Sequence, residues 1–222
     1  MLPIAARIVL DLGAGTGKFT RSLVECGLDV IAVEPDDVMR LTLTAVLPTV
    51  RAPAGTGESI PLPDASVDLV TIAQAWHWMD AARAAVEIAR VLRPGGSLAL
   101  AWNIREESVA WVRQLSEIIG SSDAERFLRG TIEIPEPFGV TATFETDWQN
   151  DIDGKSLVAL VASRSLIITA SPADRAATLA AVRELTASDP ALAGPARFGL
   201  PYRTYGFRAT LPSGPIGPAG TG

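Results

Sequence analysis

The chain has 222 residues, 48% of them hydrophobic, with a formal net charge of −6 and single cysteine and histidine residues, Cys26 and His77. That length suffices for one sizeable core. The negative charge argues against nucleic acid as a partner, and no apolar run is long enough to span a membrane. One cysteine forms no internal disulfide, which fits a cytoplasmic location, and the scarcity of Cys and His argues against a zinc site while leaving carboxylate sites open; no metal is expected. The first residues lack a basic stretch followed by an apolar core, so no signal peptide is expected.

In chain order, branched apolar residues predict a first strand from Ile8 to Leu12. Gly13, Gly15 and Gly17 then fall at alternate positions. Phe19, Leu23 and Cys26 follow at helical spacing, so a helix is expected from Lys18 to Cys26, closed by Gly27. Asp29 to Glu34 reads as a second strand that Pro35 stops, and Asp36 is placed to cap a helix running through Met39 toward Leu47. Val50 to Ala54 is a short strand candidate. Val67 to Ala73 is a strong one, ending in Gln74-Ala75-Trp76-His77-Trp78. Asp80 to Leu92 predicts an amphipathic helix with Ala82, Val86, Ala89 and Leu92 on one face and Arg83, Glu87 and Arg90 on another. Arg93-Pro94-Gly95-Gly96 predicts a turn before a strand from Ser97 to Trp102.

The second half is less regular. Val109, Val112, Leu115, Ile118 and Ile119 suggest a helix. Ser121 to Pro137 reads as an inserted cap or loop. Thr141 to Trp148 is a strand candidate, Ser156 to Ile168 and Pro172 to Leu185 are helix candidates, and Tyr202 to Thr210 is a final strand. The expected organisation is one domain over 1–210, with core motifs in 8–103 and a cap or substrate region in 104–140. A disordered tail rich in proline and glycine is expected over 211–222. Strands alternating with helices argue for a parallel sheet covered on both faces.

Strand, glycine bend and helix start form an arrangement that lets backbone approach an anionic ligand. A dinucleotide fingerprint would put its third glycine where Lys18 stands, and a phosphate loop would want Ser or Thr where Phe19 stands. What remains, G-x-G-x-G after an aspartate, resembles the first motif of class I S-adenosylmethionine-dependent methyltransferases. Further matches follow in family order: Val33-Glu34-Pro35, Pro61-Leu62-Pro63-Asp64-Ala65-Ser66-Val67-Asp68, Ala75-Trp76-His77-Trp78 and Ala89-Arg90-Val91-Leu92-Arg93-Pro94-Gly95-Gly96. Together they resemble the type 11 class I methyltransferases over roughly residues 8 to 103. Gln74 to Trp78, Ala101-Trp102-Asn103, Ser163-Arg164-Ser165 and Leu200-Pro201-Tyr202-Arg203-Thr204 are similar to a bacterial and fungal branch that includes trans-aconitate-type methyltransferases.

The resemblance implies a Rossmann-like, doubly wound, mostly parallel seven-stranded sheet with the last strand antiparallel. Family members usually carry a helical segment before the first strand, and here that N-terminal cap is expected to be missing. The implied cofactor is S-adenosyl-L-methionine, held by Asp11, Gly13, Ala14, Gly15, Gly17, Glu34, Pro35, Gly57, Glu58 and Gln74. Glu34, 21 positions after Gly13 at the end of the next strand, would accept two ribose hydroxyls. Asp11 either holds the glycine loop or approaches the methionine amine. Glu58 either accepts from the adenine amino group or caps a helix. Gln74 would use its backbone carbonyl. His77 is either a packed residue or a substrate positioner and base, while Trp76 and Trp78 read as walls and core. The implied partner is a small-molecule methyl acceptor, with a carboxylate as the candidate class. The alternatives are a cofactor-binding protein without turnover and a nicotinamide-dependent oxidoreductase.

Overall fold

A computed structural model describes residues 7–120, 132, 134–168 and 170–212. It contains a six-stranded sheet in the order β2-β1-β3-β4-β6-β5. The strands are β1 (Ile8–Leu12), β2 (Asp29–Val33), β3 (Val67–Ala73), β4 (Leu92–Arg105), β5 (Gly139–Ile152) and β6 (Phe198–Thr210). Strand β1 is central to the first half. It pairs in parallel with β2, Ile8 opposite Asp29 through Leu12 opposite Val33, and with β3, Val9 opposite Leu69. Val9, Leu10, Asp11 and Leu12 are all buried, so the branched run is covered on both faces, as a strand inside a parallel sheet must be.

The helices between these strands are α1 (Lys18–Glu25), α2 (Asp37–Val46) and α3 (Ala81–Val91). Helix α1 ends in a paired cap: Leu28 N–H donates to Leu23 O at 3.3 Å and Gly27 N–H to Val24 O at 2.9 Å. That closure needs a left-handed residue, and Gly27 has φ 78°. Asp36 and Asp80 cap α2 and α3 by accepting from Met39 N–H at 2.8 Å and Arg83 N–H at 3.1 Å.

Three expectations are corrected here. The sheet has six strands rather than seven, because Val50 to Ala54 supplies only an isolated parallel bridge, Arg51 opposite Ile31, with Ala32 N–H donating to Arg51 O. Pro53 follows the bridge residue by two positions, and proline has no N–H to extend a ladder. Helix α3 buries Ala84, Ala85, Ile88 and Val91, whereas Val86, expected inside, is 63% exposed. An alanine-rich helix offers two stripes of similar hydrophobicity, and the one holding Ile88 went inward. Arg93–Gly96 does not precede β4 but lies within it. Val67 faces Leu92 and Leu69 faces Ser97, so two steps along β3 match five along β4, and the extra residues bulge.

Strand β6 is antiparallel to β4, since Leu211 N–H donates to Gly96 O and Glu106 N–H to Pro201 O. Strand β5 is antiparallel to β6, as Trp148 Nε1–H reaches Thr204 Oγ1 while Arg197 pairs with Asp151. The sheet is therefore mixed.

The chain divides into two compact units. The first takes Met1–Trp102, Ile132–Phe144 and Tyr205–Gly222, and the second takes Asn103–Thr131 and Glu145–Thr204. In the first, Val9, Leu23, Val30 and Leu69 form one apolar cluster, and Ala32, Leu43 and Val50 another. The second unit contains α4 (Ala110–Ile119), α5 (Gly154–Ala162), α6 (Ser165–Ile168), α7 (Pro172–Ser188) and α8 (Pro190–Ala193). Its core gathers Trp111, Leu115, Leu157, Val161, Val182 and Leu200. The helix expected over Ser156 to Ile168 is two helices, broken at Ser163 and Arg164. The residues before Arg7, most of the insert expected from Ser121 to Pro137, and 213–222 of the expected tail lie outside the described residues.

Candidate active site

The carboxyl ends of β1, β2 and β3 bring the sequence-predicted residues of the first unit together. Asp11, near the end of β1, is buried. Thr20 Oγ1–H donates to its Oδ2 at 2.6 Å, and Thr71 Oγ1 lies 3.4 Å from Oδ1. Burial pushes the Asp11 carboxyl up to about 6; the two threonine hydroxyls oppose that rise, and the neighbouring Glu34 charge adds to it. Among the described bonds, Asp11 ties helix α1 through the Thr20 hydroxyl rather than accepting from an amide of the glycine loop.

The glycine bend follows, with φ of 73° at Gly13, 57° at Gly15 and 83° at Gly17. Several of its amides are used inside the protein. Gly13 and Ala14 N–H both donate to Val33 O, at 2.8 and 3.2 Å, and Gly17 N–H donates to Ala14 O at 3.0 Å. Gly15 N–H donates to Glu34 Oε2 at 2.8 Å, and Asp36 N–H to Glu34 Oε1 at 3.0 Å. The bend therefore acts first by shape. A Cβ on Gly13 would sit 2.7 Å from Ala75 Cβ, and one on Gly17 would sit 2.8 Å from Leu43 Cγ. At Gly15 the nearest atom would be Met39 Sδ, at 4.0 Å. The bend is closed at its ends and open at its middle.

Glu34 is buried yet keeps acceptor capacity, because each carboxylate oxygen has two lone pairs and each described bond uses one. Pro35 stands between this acid and the Asp36 cap.

Gly57 is tight as well, since a Cβ there would meet Met79 Sδ at 2.6 Å. Glu58 accepts from Asp80 N–H at 2.8 Å and so holds the start of α3. Burial raises its pKa, but the backbone bonds and Arg83 win, leaving the carboxyl below its ordinary value. Gln74 follows β3 with φ 61°, a left-handed conformation in a non-glycine residue, and its N–H donates to Ala101 O at 2.9 Å. Such backbone strain gathers where a structure over-determines a site. Trp76 to Trp78 form a single 3-10 turn. Trp76 is core at 1% exposed, Trp78 is 66% exposed, and half-buried His77 lies beside Trp78, with ring centroids 5.0 Å apart.

Sequence reasoning missed Met79 and Met39. Met79 lies against Gly13 and Gly57, and Met39 faces the open middle of the bend. Met79 follows a motif that drew attention to its aromatic residues, and Met39 is an ordinary first-turn helix residue. Neither carried a signal of its own.

The parallel half-sheet, the bend after β1 and the acid after β2 define a Rossmann-like α/β protein. Residues 10–100 match the methyltransferase domain family. A protein of Mycobacterium tuberculosis described as an uncharacterized methyltransferase is 53% identical over 211 residues, covering 95% of this chain and 86% of the relative. The malonyl-[acyl-carrier protein] O-methyltransferase of Pectobacterium atrosepticum is 34% identical over 125 residues, covering 54% of this chain and 48% of the relative. A solved structure from Anaeromyxobacter dehalogenans, assigned as a type II methyltransferase, shares the fold with a TM-score of 0.65 and 23% identity, covering 95% of this chain and 93% of that one. The chain belongs to the class I S-adenosylmethionine-dependent methyltransferases.

Proposed function

We propose that the chain methylates a small-molecule carboxylate, with S-adenosylmethionine held by Asp11, Gly13, Ala14, Gly15, Gly17, Glu34, Pro35, Gly57, Glu58 and Gln74. The observation that carries this reading is the 2.8 Å bond between Gly15 N–H and Glu34, which sets the acid of one strand end on the bend of the next. The residues present fit the cofactor. Glu34 has lone pairs left for a ribose diol, and the bend is open only at Gly15, where a Cβ would enter the space a ligand needs. When bound, the cofactor supplies a methyl group on a sulfonium. The chain's own residues bind and align, and alignment can lower a barrier by on the order of 7–11 kcal/mol.

A carboxylate acceptor is supported by the malonyl O-methyltransferase relative and by the resemblance of residues 163–165 and 200–204 to the trans-aconitate-type branch. Such an acceptor is already ionised at neutral pH and needs no general base. His77 is then a positioning residue, and His77→Ala leaves kcat within about tenfold of the parent. A phenol or amine acceptor would make the same exchange cost about 10²–10⁴-fold. The proposed setting is the cytoplasm; among the described residues no helix is long and apolar enough to cross a membrane.

Calorimetry with S-adenosylhomocysteine and with NAD, followed by labelled methyl transfer to carboxylates, phenols and amines, tests the proposal. Binding of the first ligand and transfer to a carboxylate is the expected result. Binding of NAD alone overturns it, and so does S-adenosylhomocysteine binding with no transfer to any acid.

A further inference from the structure

Methionine is scarce in this chain and unevenly placed. Apart from Met1 there are two, Met39 and Met79, and both lie against glycines of the candidate site. Their surroundings differ. Met39 Sδ is the nearest atom to a Cβ built on Gly15, at 4.0 Å, and Met39 is 44% exposed. Met79 is half-buried, with its Sδ 2.6 Å from a Cβ built on Gly57 and its Cε 3.5 Å from one built on Gly13. One sulfur borders the open middle of the bend; the other fills a closed contact. A thioether is oxidised where a peroxide can reach it, and the product is polar where the parent was apolar.

Three hydrogen bonds hold Met39 in its place. Gly15 N–H donates to Glu34 Oε2 at 2.8 Å, Asp36 N–H to Glu34 Oε1 at 3.0 Å, and Met39 N–H to Asp36 Oδ1 at 2.8 Å. The bend, the acid and the first turn of α2 are thus one linked unit, and Met39 cannot withdraw its backbone without breaking a bond. All three amides in that unit already donate to carboxylates. An oxygen added to Sδ is one more acceptor among acceptors and takes its hydrogen bonds from water. A ligand that enters the middle of the bend must strip that water.

We propose that Met39 is an oxidation site, converted by a hydroperoxide to a sulfoxide that closes the middle of the bend to S-adenosylmethionine. A lone pair of the thioether attacks one peroxide oxygen, the O–O bond breaks as the S–O bond forms, and the leaving hydroxide takes a proton to become water. Sulfur is oxidised and the peroxide reduced, with no other reactant. The proposal rests on the methyl-transfer reading, because the ligand it excludes is that cofactor.

Hydrogen peroxide treatment of the full chain tests it, in a Cys26→Ser background because Cys26 is an exposed thiol. Peptide mass spectrometry follows the added oxygen at each methionine, and calorimetry reads S-adenosylhomocysteine affinity before and after. Met39 takes up oxygen before Met79, and bound S-adenosylhomocysteine slows that uptake. The oxidised chain binds about tenfold or more weakly, and the two methionine sulfoxide reductases, one for each epimer, restore the affinity. In Met39→Leu the affinity is the same before and after peroxide, whatever its starting value; in Met79→Leu the loss persists. Earlier uptake at Met79, no protection by the ligand, an affinity unchanged once Met39 is oxidised, or a loss that persists in Met39→Leu overturns the proposal. The parent's own masses and affinities decide the matter even if a variant fails to fold. A reduced chain that does not bind S-adenosylhomocysteine removes the methyl-transfer reading and this proposal together; reduced and oxidised chains that bind equally remove this proposal alone.

Discussion

Gly15 and Gly17 stand two positions apart with similar backbone angles, yet their side-chain space differs. A left-handed alanine costs roughly 1–2 kcal/mol wherever it stands. At Gly15 little is added, since the nearest atom to a new Cβ is 4.0 Å away. Gly15→Ala therefore folds with a melting temperature lowered by about 2–8 °C, and it loses S-adenosylhomocysteine affinity by tenfold or more in calorimetry. At Gly17 the same methyl meets Leu43, which is fully buried and has nowhere to go. Gly17→Ala loses much more stability, on the order of 1–3 kcal/mol beyond the backbone cost, and melting curves separate the two variants. If Gly15→Ala bound as the parent does, the open middle of the bend would not be the ligand's place. At this scale the sequence was legible where chemistry is local: Asp11, the three glycines and Glu34 are neighbours along two strand ends. The wall made by Met79 was not legible, because it meets Gly13 across 66 positions and thioethers carry no motif.

Among elements, α3 shows what an outward face can do. Glu87 and Arg90 stand on the charged face expected of this helix, and they fasten the segment before β3 to it. Arg90 donates to Glu87, to Asp64 and to the carbonyls of Ile60 and Leu62, while Glu87 accepts from Ile60 N–H at 2.9 Å. Arg90→Lys keeps the charge and loses the fork. The Arg90 side chain is 31% exposed, so the loss is screened and amounts to about 1 kcal/mol. A urea titration reads it as a lower midpoint at unchanged slope; hydrogen exchange at the Ile60 amide accelerates in the same variant. An unchanged Ile60 exchange rate would mean the clamp is ornamental. The strand order of the first unit was readable because branched runs punctuated by Gly, Pro and Asp leave few alternatives. The stripe of α3 was not, because alanine fits inside or outside. The missing strand at Val50 to Ala54 turned on Pro53, whose ring the apolar pattern around it concealed.

For the molecule as a whole, opposing carboxyl groups set the pH of greatest stability. Asp68, held by the Arg7 and Ile8 amides and by Arg93, ionises below its ordinary value despite partial burial, and Glu58 and Glu87 do likewise. Their stabilisation is complete above the ordinary carboxylate values of 3.8 and 4.5 and is lost as the pH falls through their lower folded values. Asp11 runs the other way. Its carboxyl ionises near 3.8 in the unfolded chain and at about 6 in the folded one. Below the first value both states hold the proton. Between the two, only the unfolded chain releases it, so stability falls as pH rises, and above about 6 the whole penalty stands, on the order of 3 kcal/mol. The ligand-free chain therefore melts highest on the acid side of neutral, between the ordinary carboxylate range and about 6, rather than at neutrality. Asp11→Asn keeps the shape and an acceptor for Thr20 while removing the charge. Its melting temperature exceeds the parent's at neutral pH, and the gap narrows as the pH falls from about 6 and closes below 3.8, where the parent's Asp11 is protonated in both states. Melting curves of both proteins across that range check this. A gap of constant size would show that Asp11 is costly or helpful for its packing alone, and that the charge buried beneath the glycine bend is not what sets the profile.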